Sequence, residues 1–110
     1  ESCANACAIT AAFASGEYEK LRGAFADRLH QPYRKRLVPF LPQVIAAAEK
    51  AGALGAFLSG SGSAICAVTL RNGAQIAAAM KRAAGSEAGR TIITRADNRG
   101  ARILDPKLKI

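Results

Sequence analysis

Tryptophan is absent from the chain, and aromatic residues of any kind are scarce: four phenylalanines and two tyrosines in 110 residues. A core built without large rings is thin. With alanine the largest share of the apolar half of the composition, it is expected to be helix-rich. One histidine and three cysteines (Cys3, Cys7 and Cys66) are too few for a nitrogen and sulfur metal centre, so no metal site is expected. The odd cysteine count, without a pairing framework, points away from a disulfide scaffold and toward a reducing cytoplasm. No apolar run approaches the length that spans a bilayer. The first segment also lacks the basic start and long apolar stretch of a secretory signal. Acidic residues are few as well, eight against sixteen lysines and arginines, for a net charge of +8. That balance favours acidic partners such as nucleotides or phosphorylated substrates. The one dense basic patch, Arg34-Lys35-Arg36, has no interleaved aromatics, so nucleic acid is an unlikely partner on this ground.

The chain is organised around Gly55 to Val68. Two apolar runs flank Ser59-Gly60-Ser61-Gly62, which reads as two buried strands joined by a glycine turn. Glycines there allow positive φ and close approach of another group to the backbone. The N–H groups and hydroxyls of such a loop suit an anion or a phosphate-binding neighbour; an ordinary hairpin turn has the same spacing.

Periodicity supplies the remaining elements. Residues 3–14 read as a helix stopped by Ser15-Gly16. A second helix is expected over 17–29, with Tyr18, Leu21, Phe25 and Leu29 as its apolar stripe, packed antiparallel on the first. His30 to Arg34 reads as a connection. A third helix starts near Pro39 or Pro42, carries Leu41, Val44, Ile45 and Ala48, and stops at Gly52. A fourth spans about 74–84, with Ile76, Ala79, Met80 and Ala83 inward. The β-branched run Thr91 to Ala96, a turn at 97–100 and Ala101 to Leu104 read as two further strands, with a frayed tail over 105–110. This order predicts a single α+β domain over residues 1–110: a sandwich with helices on one face of a four-stranded, mainly antiparallel sheet.

Three segments carry a resemblance to a known family. They are Asp27-Arg28-Leu29-His30-Gln31-Pro32-Tyr33-Arg34 with Leu37-Val38-Pro39, Gly52 through Gly62, and Asp97 through Ile103. Together they resemble the C-terminal half of the homoserine kinase family. That family lies within the superfamily of galactokinase, homoserine kinase, mevalonate kinase and phosphomevalonate kinase (GHMP kinases). The Ser-Gly-Ser-Gly loop marks the superfamily, and the Pro-Tyr-Arg segment points to homoserine kinase. The resemblance implies a ferredoxin-like C-terminal domain. It also implies transfer of the ATP γ-phosphoryl group to the hydroxyl of L-homoserine, on the way to threonine in the cytoplasm. ATP and Mg²⁺ would be held mainly by an N-terminal kinase domain, whose phosphate loop is absent from this sequence. The opening at Glu1 rather than Met fits the expectation of a fragment, inactive alone.

The same resemblance implies that Arg34 holds the amino-acid substrate and that Ser59, Gly60, Ser61 and Gly62 form the active-site loop. A guanidinium grips a carboxylate through two parallel hydrogen bonds, and backbone N–H groups stabilise spread negative charge. His30 invites a general-base role, but its place beside a helix end favours capping of carbonyls. Tyr33 is expected to pack with its hydroxyl hydrogen-bonded. No catalytic residue is assigned. Ser63 stands where the family loop continues with proline, which loosens the assignment of substrate more than that of superfamily. Two alternatives stay open: a mevalonate-type or sugar kinase of the same superfamily, and a non-catalytic ferredoxin-like module that binds a ligand or nucleic acid. An exposed sheet edge or helix pair could also support a homodimer.

Overall fold

A computed structural model describes residues 1–85 and 89–102. Helix α1 spans Ser2–Ser15 and ends at Gly16, whose φ of 72° is the left-handed stop that glycine provides without a Cβ penalty. A 3₁₀ turn follows at Tyr18–Leu21. A one-turn helix α2 covers Gln31–Arg34, α3 covers Leu41–Lys50, and strands β1 (Gly55–Leu58) and β2 (Ile65–Val68) form an antiparallel pair. Helix α4 spans Gly73–Ala84, entered through Asn72 in the left-handed region. Among the described residues no helix is long and apolar enough to cross a membrane.

Among the described residues the sheet therefore has two strands, not the four of the expected ferredoxin-like sandwich. The pairing places Gly55 opposite Val68 and Leu58 opposite Ile65. Residues 91–96 carry strand-forming side chains but join no ladder; Ile92 and Ile93 lie exposed. β-Branched residues favour a half-buried pleated surface only where a neighbouring strand supplies one. The turn at Asp97 does form, with the Arg99 N–H donating to Asp97 Oδ1 at 2.8 Å. Half of the fourth expected strand (residues 103 and 104) and the tail lie outside the described residues.

Helical elements also cover both faces of the strand pair, rather than one. Ala48, Ala53, Ala56 and Ile76 form a cluster where α3 and α4 meet the sheet, with Met80 and Ala67 against it. Ala12, Leu21 and Leu54 form a second, with Ile9, Phe25 and Val68 against it. Val38, Leu41 and Leu58 close a third. Strand alternation accounts for the division, since Ala56 and Leu58 face one way while Gly55 and Phe57 face the other.

The expected helix over 17–29 is replaced by the 3₁₀ turn and an irregular segment. Gly23 takes φ of 76° and turns the chain out of helical geometry. Phe25 then stacks on Phe57, with ring centroids 5.1 Å apart and planes 12° apart. Leu29, expected on a buried stripe, is 63% exposed.

Candidate active site

The segment between Phe25 and Arg34 is held by hydrogen bonds that a short polar side chain can make to its own backbone. The Asp27 carboxylate accepts the N–H groups of Leu29, His30 and Gln31 at 2.7, 3.0 and 2.9 Å. These N–H donors, that of Gln31 first, hold the Asp27 carboxyl below its ordinary range, because they stabilise the charged form. Thus Asp27 satisfies donors that open α2, and Pro32 at the start of that helix needs none. The Asn5 side-chain amide of α1 donates to the Ala26 carbonyl at 2.7 Å, fixing α1 against the same segment. Glu1 and Arg28 add an exposed ion pair at 2.7 Å.

The glycine loop is a six-residue connection from Ser59 to Ala64, longer than a tight turn. Its ends are joined by the Ser59 N–H, which donates to the Ala64 carbonyl at 2.8 Å, and Gly62 donates to the Ser59 carbonyl at 3.2 Å. Gly60 and Gly62 have φ of 58° and 95°, the left-handed region that glycine occupies freely. Of the four N–H groups of Ser59 to Gly62, two are thus consumed internally. Those of Gly60 and Ser61 make no hydrogen bond among the described residues.

A cavity of about 840 Å³ opens between α1, the 24–34 segment and the end of β1. Gly60, Ser61, Arg34, Gln31, His30 and Asp27 form its polar side, and Ile9, Phe13, Phe25, Phe57 and Val68 its apolar side. Of the residues expected to form the site, the structure brings Arg34, Gly60 and Ser61 together on one cavity. Ser59 and Gly62 do not line it; they close the loop behind those two. Arg34 is half-buried, and among the described residues no carboxylate pairs with its guanidinium. It is a cation facing a cavity beside two free N–H donors, an arrangement complementary to anionic groups.

Two nearby residues differ from the sequence expectation. His30 begins α2, and its side chain caps nothing; the imidazole lines the cavity. Tyr33 is 72% exposed, and its hydroxyl has no hydrogen bond among the described residues, because α2 is a single turn that presents Tyr33 outward. Sequence reasoning left out Gln31, whose Oε1 accepts the Leu58 N–H at 3.2 Å across 27 residues. Its place within the Asp27–Arg34 segment that carries the family resemblance is the signal the sequence offers.

Residues 9–87 match the family model described as GHMP kinases C terminal. Among curated proteins, the chain is 38% identical over 98 residues to a homoserine kinase from Aquifex aeolicus, covering 86% of this chain and 33% of that protein. It is 52% identical over 63 residues to a homoserine kinase from Persephonella marina, covering 57% of this chain and 21% of that protein. A homoserine kinase from Carboxydothermus hydrogenoformans is 43% identical over 96 residues, which is 84% of this chain and 31% of that protein. The chain therefore spans about a third, or less, of the length of these relatives. No solved structure matches the chain significantly. With well over half of its residues inside that match, and the glycine loop and the Pro-Tyr-Arg turn both within it, the chain belongs to the family of GHMP kinase C-terminal domains.

Proposed function

We propose that the chain forms the substrate-side part of an ATP-dependent homoserine kinase, which phosphorylates the side-chain hydroxyl of L-homoserine as a cytoplasmic step toward threonine. The observation that carries this reading is the placement of Arg34 on the same cavity as the free Gly60 and Ser61 N–H groups, in a chain whose relatives are named homoserine kinases. Arg34 would hold the acceptor's carboxylate through two parallel hydrogen bonds. The Gly60 and Ser61 N–H groups would stabilise negative charge that spreads over the moving phosphoryl group, without a counter-charge that has to be desolvated. The apolar side formed by Phe25, Phe57 and Val68 would exclude water and strengthen both interactions.

The donor set of this cavity fits anions. It does not fit Mg²⁺: Asp27 is the one acidic residue lining it, and its two oxygens already accept three N–H groups. Mg²⁺-ATP, when bound, supplies the phosphoryl group and its neutralising charge. We assign its main contacts to an N-terminal kinase domain outside this chain.

The test is ADP release by the full-length gene product, with Mg²⁺-ATP and L-homoserine, then mevalonate and a panel of sugars. Turnover with L-homoserine is expected. In the Arg34→Lys variant the KM for L-homoserine should rise about tenfold or more, since a lysine makes one charged contact where the guanidinium makes two. Turnover on a different alcohol would discard the substrate. A folded full-length protein that releases no ADP with any acceptor would sink the kinase reading.

A further inference from the structure

We propose that Gln31 is a positioning residue: it sets the separation between the Arg34 guanidinium and the Ser59–Gly62 loop, and through that separation the affinity for the carboxylate-bearing acceptor. The inference rests on the reading of the site given above. Its physical basis is the way β1 ends. Leu58 is the last residue of β1, and the next N–H, that of Ser59, reaches across to the Ala64 carbonyl beside β2. N–H groups alternate in direction along an antiparallel strand, so the Leu58 N–H points to the open edge of β1. An edge donor ordinarily takes water or a further strand. Here it donates to Gln31 Oε1 at 3.2 Å.

The other half of the same amide is also engaged. Gln31 Nε2 donates to the Phe25 carbonyl at 3.3 Å, and the Gln31 backbone N–H donates to Asp27 Oδ2 at 2.9 Å. Gln31 is thus fixed from both sides, and Arg34 lies one helical turn further along α2. The Arg34 N–H donates to the His30 carbonyl at 3.0 Å, which makes that turn a closed unit. Among the described residues the Gln31–Leu58 bond is the one side-chain hydrogen bond that joins α2 to the sheet. The loop is therefore tied to β2 on one side, and on the other to the turn that presents Arg34. An amide serves both contacts at once, since one needs an acceptor and the other a donor. A carboxylate keeps the first and opposes the second; a thioether of the same length makes neither.

The experiment uses the full-length gene product and its Gln31→Met and Gln31→Glu variants. The readouts are the KM for L-homoserine and for Mg²⁺-ATP, the thermal midpoint, and amide hydrogen exchange at Leu58. Gln31→Met should speed exchange at Leu58 and raise the KM for L-homoserine about fivefold or more, with the KM for ATP within about twofold. Gln31→Glu should restore protection at Leu58 and recover part of the KM, because its oxygen still accepts that N–H. Wild-type turnover with an unchanged acceptor KM in Gln31→Met would overturn the inference. So would losses in both KM values that track a fall in the thermal midpoint, which a merely structural role produces. A wild type inactive toward L-homoserine is a different result, the failure of the functional reading. In that case unchanged exchange at Leu58 in Gln31→Met would also remove the brace itself.

Discussion

Replacing Gly55 by alanine tests the contact on which the apolar side of the cavity depends. Gly55 is buried at the start of β1, opposite Val68, and its φ is not in the left-handed region, so the backbone accepts any residue there. On backbone grounds alone, Gly→Ala would stabilise by about 0.4–1 kcal/mol by restricting the unfolded chain. The neighbouring ring reverses the sign. A methyl group on Gly55 would enter the Phe25 ring, against Cδ2, with Cε2 at 2.9 Å and Cγ at 3.0 Å. Ordinary contact begins at 3.4 Å, so the ring must move as a body. The ring can give way only toward the cavity it lines, and doing so breaks its stacking on Phe57 and its packing on the cluster around Leu21 and Leu54. Overpacking of this kind costs about 1–3 kcal/mol, which for a domain of this size lowers the midpoint by about 4 °C or more. The assay is urea or thermal unfolding of Gly55→Ala in wild-type and Phe25→Leu backgrounds. In the Phe25→Leu background the cost should fall below about 1 kcal/mol, since a leucine leaves room where the ring edge stood. A Gly55→Ala protein as stable as wild type, or an equal cost in both backgrounds, would refute the reasoning.

Two other outcomes follow from the same geometry. Gly60→Ala meets no atom within 4 Å but must hold φ of 58°, so it should lose about 1 kcal/mol from backbone strain alone, and Gly60→Asn less; denaturant unfolding of the two variants separates strain from crowding. Asp27 has its folded pKa held below the ordinary aspartate range, first by the Gln31 N–H and then by that of Leu29. Its contribution to stability is therefore complete above the unfolded value, about pH 4, and is lost as pH falls through the lower folded value. Asp27→Asn should flatten that part of the stability profile below pH 4. An unchanged acid limb would remove Asp27 from the account.

Local chemistry was readable from residue order. Helices α1, α3 and α4 sit where apolar periodicity, with the stops at Gly16 and Gly52, puts them, and the Gly55–Val68 hairpin stands where two apolar runs flank glycines. The Asp97 turn forms for the same reason, a short carboxylate bonding its own backbone. The expected second helix does not form: Tyr18, Leu21 and Phe25 keep helical spacing, but Gly23 among them takes a positive φ that the spacing does not record. Residues 91–96 carry strand chemistry, but a strand also needs a neighbour, and pairing is a property of distant residues.

By itself, then, the sequence determined helices α1, α3 and α4, the Gly55–Val68 hairpin with its glycine loop, a basic segment with Arg34 at its turn, and the family in which those motifs occur together. These depend on backbone preference and side-chain type over a few residues. The tertiary structure decided which of them share a site. Arg34, Gly60 and Ser61 meet on one cavity because Asp27 opens α2, Gln31 ties that helix to the free edge of β1, and Phe25 seats on the bare backbone of Gly55. The Asp27 contact is local, but those of Gln31 and Phe25 join a side chain to strand backbone that is presented only after the strands have paired and the chain has turned at Gly23, so no local pattern announces them.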